Sequence, residues 1–466
     1  MSGTTTESVL AIDFGTTSTC AALARGGTVH RLREPVGDGW CWPSAVLFDG
    51  TMPYVGTAAE RRRRLAPAAY RDEIKRTLGR GTPVDLAGRG HRPGLLVSLI
   101  LQAVRAEAER VGGGPVSRTV LTVPAAYGPA DPRRDELLGA ARSAGLPAVE
   151  LCPEPVAAAL APLAGGPLPP GTTVLVHDFG GGTFDTALVR LAAGEGEDGD
   201  DGEHTVLAHG GVERGGRDVD GIVLAELRAQ GGPELDGLLP PPEGEPTVRA
   251  LRHRIELLDL ARQLKHRLAA ESAPSDVFTP AERTFTLHRD RVLELARPLY
   301  ELTTGCCARL LAETALLDSS GRPPKPDAVV VVGGSSRLPG LTAHVEEELG
   351  LPLYRAEDPR TAVAEGAAAW GRARTARTVL ATGPVPGRTP LCWPLPPGTS
   401  TLVDWYVAPG ARFQAGAVLG RVRAEDGSVL HLSAPSAGRV RAHHARPGDR
   451  VRDGEWLLTV VRGDDG

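Results

Sequence analysis

Apolar runs of strand length recur along the chain, and longer stretches of helical periodicity lie between them. VLAIDF (9–14), VLVHDF (174–179) and AVVVV (328–332) are continuous apolar runs that lead straight into glycines. Such runs predict strands covered on both faces. TALVRL (186–191) and HTVLAHG (204–210) read as further strands. PVAAALAPLA (155–164), DLARQLKHRLAAE (259–271) and TAVAEGAAAWG (361–371) read as helices. Strands alternating with helices predict an α/β class. The alternation stops at the Pro/Gly-rich stretch ATGPVPGRTPLCWPLPPGTS (381–400), which reads as a linker. Beyond it, short alternating strands with PG and DG turns predict a small all-β unit.

Composition narrows the picture. With 466 residues the chain exceeds one ordinary core, and 41% hydrophobic content marks it as globular. A formal net charge of -5 gives no bulk reason to expect nucleic acid. Three lysines (Lys75, Lys265 and Lys325) stand among many arginines. The six cysteines, Cys20, Cys41, Cys152, Cys306, Cys307 and Cys392, form no CxxC or metal-ligand spacing, so a reducing, cytoplasmic compartment is expected. MSGTTTESVLAIDFG has neither a basic n-region nor an apolar h-region, and no apolar run is long enough to span a membrane. The acidic run GEGEDGDDGE (194–203) lacks EF-hand spacing and reads as a solvated hairpin tip. RRRR (61–64) reads as an exposed helix face.

Two stretches share one plan. VLAIDFGTT and VLVHDFGGGT each bring an aspartate to the end of a buried strand and follow it with glycine and threonine, with Asp13 and Asp178 165 residues apart. This self-similarity predicts two related lobes. Glycines at such a turn leave backbone N–H groups uncovered as an anion nest. Aspartates beside a phosphate make sense only with a hydrated divalent cation between them. Two facing loops of this kind would grip a polyphosphate and its Mg²⁺. VVGGSSRLPGL (331–341) adds a glycine turn where a flat group can approach the backbone and Arg337 can stack on it.

IDFGTTST, IKRTLGR, LTVPAAYG, CPEPVAAALA, HDFGGGTFDT, GGRDVDGIV, VVGGSSRLPGL and AVAEGAAAWG, in this order, resemble the ATPase domain of the seventy-kilodalton heat-shock (DnaK-type) chaperones of the actin and sugar-kinase superfamily. The resemblance implies a two-lobed actin-like ATPase fold with a duplicated ribonuclease H-like core over 1–378; composition and turn pattern add a linker at 379–398 and a small all-β barrel at 399–466. It implies ATP/ADP and Mg²⁺ as cofactors and slow ATP hydrolysis. Asp13 and Asp178 match the aspartates that hold Mg²⁺ through waters. Gly15, Thr16, Thr17, Gly180, Gly181, Gly182 and Thr183 match the phosphate loops. Lys75 matches the lysine that stabilises γ-phosphate charge, and Glu154 and Asp185 match carboxylates that orient the attacking water. Gly333, Gly334, Ser335 and Arg337, with Lys265 and His266, match the nucleoside side of the site. Pro124 and Arg134 match the switch proline and relay arginine that report nucleotide state.

Departures accompany the match. On the helix at 259–271, Lys265 is kept, while His266 stands for an arginine, Arg262 for a glutamate and Ala269 for a serine. Past residue 375, fewer than a hundred residues replace the family's peptide-binding sandwich and helical lid. The tail repeats internally (APGARFQAGAVLGRV against RPGDRVRDGEWLLTV) and is similar to biotinyl or lipoyl carrier domains. Its corresponding turn, AEDGS (424–428), has no lysine, so attachment of biotin or lipoate is excluded. His443 and His444 are expected to face solvent. Two functions follow as expectations. One is a chaperone-like ATPase coupling nucleotide state to a protein client or partner through the C-terminal module, with a J-type co-chaperone or exchange factor as further partners and no role for nucleic acid or membrane. The alternative is a sugar-type kinase of the same superfamily.

Overall fold

The computed structural model describes residues 8–461 apart from 38, 51, 129–130, 193–203, 242, 244, 315–324, 374–375, 381–387, 397, 436, 454 and 456. The acidic run and much of the Pro/Gly-rich stretch therefore lie outside the described residues. The chain divides into two units, 1–370 and 371–466.

In the first unit, β1 (Ser8–Phe14), β2 (Ser18–Arg25) and β3 (Thr28–Arg31) form an antiparallel meander. β4 (Cys41–Pro43) pairs with β2. After the long helix α1 (Pro93–Gly112), β5 (Arg118–Val123) and β6 (Val149–Pro153) add to β1 in parallel. The second lobe repeats the plan. β7 (Thr173–Phe179), β8 (Phe184–Arg190) and β9 (Thr205–Val212) make the meander, and β10 (Ala328–Val332) and β11 (Leu353–Arg355) extend it in parallel from β7. Written across, the sheets read β6-β5-β1-β2-β3 and β9-β8-β7-β10-β11. The duplication read from two short motifs thus extends to whole-sheet topology. β1 and β7 have the same burial pattern, with the aspartate as the one position that is not fully buried.

Packing between the lobes depends on small residues. The helices α2 (Glu154–Ala159) and α3 (Ala362–Ala373) share a core with β1, β7 and β10 that includes Ala157, Ala158, Ala367, Ala368 and Trp370. A Cβ on Gly366 would overlap the carbonyl oxygen of Ala157. The close crossing expected from the alanine-rich sequences is present, and it tolerates no added methyl group.

Cys20 and Cys41, register partners on β2 and β4, are joined as a disulfide with Cα atoms 4.6 Å apart. Cysteine usage therefore no longer argues for a reducing compartment. Among the described residues Cys152, Cys306, Cys307 and Cys392 form no disulfide. Among the described residues no helix is long and apolar enough to cross a membrane.

The second unit is all β, with a five-stranded and a four-stranded sheet. Its core holds Trp393, Leu402, Leu419, Leu432 and Leu458. The sequence assigned 376–378 to the first domain and 379–398 to a linker. Instead Ala376–Leu380 pairs in parallel with Val429–Ser433, Arg388–Leu391 pairs with Leu458–Val461, and Leu391, Trp393 and Leu395 are buried. The prolines and glycines obscured two strands whose partners lie far along the chain. AEDGS forms the tip between Val418–Arg423 and Val429–Ser433, with Gly427 at φ 78°. His443 departs from expectation: its ring stacks on Trp405 with centroids 4.8 Å apart, while His444 is exposed and bonded to Thr459 Oγ1 at 2.6 Å.

Gly366→Ala is expected to destabilise the first unit by about 1–3 kcal/mol, because the backbone of α2 must move to admit the methyl group. Denaturant unfolding of this variant at parental stability would show that the crossing is not tight.

Candidate functional site

The site begins with two turns of the same geometry. Gly15 N–H donates to the Ser18 carbonyl at 3.1 Å, and Gly180 N–H donates to the Thr183 carbonyl at 2.9 Å. The turns meet tip to tip: a Cβ on Gly181 would strike Thr17, and one on Gly182 would strike Thr16. Glycine here is demanded by contact with the other lobe. Arg76 Nη2 donates to the Gly182 carbonyl at 2.6 Å, and Arg217 Nε donates to Thr17 Oγ1 at 3.2 Å. Arg217 also pairs with Asp72 at 2.8 Å and with Glu73 at 2.5 Å.

Behind the tips lies a cluster of acids. Asp178 and Asp185 are register partners on β7 and β8. Asp13 Oδ1 accepts from Thr122 Oγ1 at 3.1 Å. Glu154 Oε1, at the first turn of α2, receives Lys75 Nζ at 2.8 Å, and both side chains are buried. Burial and the neighbouring Glu154 push the Asp13 carboxyl up to about 7, despite Lys75 and Thr122. Asp185 is raised to about 6 by burial and Glu154. Burial, Asp185, Glu154 and Asp13 together raise Asp178 well above the usual carboxylate range. Burial alone would lower the Lys75 ammonium, yet Glu154, Tyr127 and Asp13 hold it above its ordinary value. One ammonium thus faces four carboxyl groups, an arrangement that favours a divalent cation. Among the described residues no three His, Cys, Asp or Glu side chains converge on a common ligation point. Hard carboxylate oxygens of this kind suit a hydrated divalent cation.

A cleft of about 550 Å³ runs from these hairpins to a wall made by Arg262, Lys265, His266 and Ala269. Gly333, Gly334, Ser335 and Arg337 line it as well. Gly333 adopts φ 85° and lies so close to the Phe179 carbonyl that a Cβ would clash. Ser335 Oγ donates to the Gly180 carbonyl at 2.8 Å, so Ser335 braces the second hairpin. Lys265 Nζ lies 2.5 Å from Asp220 Oδ1 and 3.1 Å from the Gly216 carbonyl, and Arg262 Nε donates to Asp220 Oδ2 at 2.9 Å. Burial, with Lys265 beside it, lowers the His266 imidazole.

A neighbouring cavity of about 570 Å³ meets the cleft at Lys75, Glu154, Thr183 and Asp185. Pro124 lines it, together with Arg133 in place of Arg134. Arg133 lies over the Tyr127 ring at 4.1 Å and pairs with Asp131 at 2.6 Å. In a run of two arginines, spacing alone does not decide which one turns inward. RRRR is also not simply an exposed face. Arg63 is buried and pairs with Asp259 on the helix that carries Lys265, and Arg64 reaches the same carboxylate at 2.6 Å. The sequence reading missed Arg76, Arg217, Asp220 and Asp259. The first three sit within quoted motifs or beside one, but nothing in the sequence reveals that they meet across the cleft.

A duplicated pair of sheets with facing glycine hairpins and an acid cluster between them defines a two-lobed actin-like ATPase fold. The profile of the Hsp70 family (described as "Hsp70 protein") matches residues 81–379, well over half the chain. The chain belongs to the Hsp70 family, whose members bind ATP and ADP. Asp13, the first hairpin and Lys75 precede the matched range, and geometry alone joins them to the rest.

The raised pKa of Asp13 carries a sign for stability. The folded, ligand-free chain holds this proton to higher pH than the unfolded chain, so stability falls as pH rises from about 4 to about 7. Asp13→Asn is expected to relieve this, with a gain small near pH 4, growing to about 4 kcal/mol just above pH 7 and level beyond. Thermal denaturation of parent and variant across this range checks it; a gain independent of pH would overturn the assignment.

Proposed function

We propose that the chain is a slow ATP-hydrolysing switch that couples nucleotide state to a protein partner. The observation that carries this reading is the buried Lys75–Glu154 pair standing behind two facing phosphate-type hairpins. In this reading the backbone N–H groups at Thr16–Thr17 and Gly181–Thr183 hold the phosphates, while those of Gly15 and Gly180 close the turns. Asp13 and Asp178 hold Mg²⁺ through its waters, and the ion supplies charge neutralisation for the polyphosphate. Lys75 sets its ammonium against the terminal phosphate, kept protonated by Glu154. Asp185 and Glu154 orient the attacking water, and the Thr183 hydroxyl donates to the transferring group. Positioning and charge account for such chemistry.

Hydrolysis would remove the terminal anion that lies between the hairpins and so alter the contacts across the cleft. Arg76, Arg217, Arg63 and Arg64 all bridge the two sides and would feel the change. Pro124 and the adjacent Tyr127–Arg133 stack line the second cavity beside Lys75 and are placed to sense it. The all-β unit would present the partner-binding surface, in the cytoplasm, with a J-type co-chaperone or exchange factor acting on the first unit.

A second reading draws on the cavity that meets the cleft at Lys75 and Glu154, which has room for an acceptor hydroxyl. A sugar-type kinase would use it. ATP turnover without any added acceptor favours the switch, whereas strict dependence on a sugar favours the kinase. Lys75→Ala is expected to keep nucleotide affinity within about threefold while turnover falls by about a hundredfold or more, in line with loss of a transition-state charge partner. Thr183→Ala should lower turnover less. Parental hydrolysis by both variants, measured under single-turnover conditions, would overturn the site.

A further inference from the structure

The cleft is electrically polarised along its length. At the hairpin end, Asp13, Asp178, Asp185 and Glu154 face Lys75, while Arg217 at the tips is engaged by Asp72 and Glu73. At the far end, Arg262, Lys265 and Arg337 face one carboxylate, Asp220. Glu60 also lines the cleft, but it is engaged by Arg63 at 2.8 Å. Asp220 is already shared: Lys265 takes one oxygen and Arg262 Nε the other. Arg262 thus spends a single N–H on the protein, and its two Nη groups have no partner among the described residues. The exposed Arg337 side chain lines the opposite wall with no ion pair or hydrogen bond among the described residues.

If the hairpins hold the 5′ phosphates, the sugar and base lie toward this far end. An ordinary ribose brings hydroxyl groups and no charge. Its hydroxyl protons need acceptors, and the one carboxylate on this wall, Asp220, already faces two cations, Lys265 and Arg262. The wall offers instead a surplus of donors, the Nη groups of Arg262 and the guanidinium of Arg337, whose chemistry suits a phosphate.

We propose that the cleft selects a nucleotide whose ribose carries an additional phosphate, received by Arg262 and Arg337. This rests on the reading of the cleft as a nucleotide site, and it names the class of nucleotide. Lys265 fixes Asp220 so that Arg262 Nε is anchored and the Nη pair is presented to the cleft. Ala269, in the turn just past the helix that carries His266, lines the cleft with only a methyl group.

The test is calorimetry on the full chain with Mg²⁺, using AMP, ADP, and adenosine bisphosphates bearing the second phosphate on the ribose 2′ or 3′ oxygen. At least one of these bisphosphates is expected to bind about tenfold or more tighter than AMP, the gain of one charge-assisted contact. In Arg262→Gln that ratio should fall below about threefold, with Arg337→Gln as a second variant that keeps the helix intact. Binding of ADP with no preference for either bisphosphate over AMP overturns this proposal and leaves the nucleotide reading standing. A preference that survives both substitutions overturns it too, since the added phosphate would then sit elsewhere. Failure of ADP and ATP to bind at all overturns the nucleotide reading itself.

Discussion

Backbone-close contact between two hairpin tips governs the first unit. Gly181 and Gly182 lie against Thr17 and Thr16 with no room for a Cβ, so the strands behind them must arrive at one spacing and angle. The same requirement recurs at the back, where Gly366 meets the Ala157 carbonyl. Two duplicated sheets can share one cleft only if both close approaches hold. The alanine-rich core between α2 and α3 follows from this, since bulkier side chains would separate the lobes.

This closeness concentrates like charges. Four carboxyl groups are held near one ammonium, and burial with mutual repulsion holds Asp13, Asp178 and Asp185 above the usual carboxylate range. The fold therefore stores an electrostatic cost that a cation and a polyphosphate would relieve together. Functional sites commonly depart from the most stable arrangement in this way. At the opposite end the sign reverses, and the two guanidinium groups await an anion. The cleft acts as a dipole that orients whatever charged molecule enters it.

Continuous apolar runs ending in Asp-Phe-Gly revealed β1 and β7, because strands covered on both faces need no alternation and leave a plain signature. The glycines were legible because few residues fit a tight turn, whereas Lys75 and Glu154 were read from the family resemblance and their pairing came from the structure. Arg217, Asp220 and Asp259 were not, because their meaning lies in partners 42 to 196 residues away. Arg133 and not Arg134 lines the second cavity, since helix phase after a proline is a matter of one residue. The strands at 376–380 and 388–391 were lost among prolines and glycines, and their pairing with 429–433 and 458–461 is set by the second unit's own core. His443 looked solvent-facing until Trp405 was seen beneath it.

The two sides of the cleft are laced together by guanidinium groups on Arg76, Arg217, Arg63 and Arg64 rather than by a greasy seam. Long, flexible arms of this kind can trade a carboxylate for water one hydrogen bond at a time. Such a closure yields gradually, like a row of springs, and its stiffness depends on the ionic strength of the medium. A cell that alters its salt would thereby alter how readily this cleft gapes, with no change in any residue.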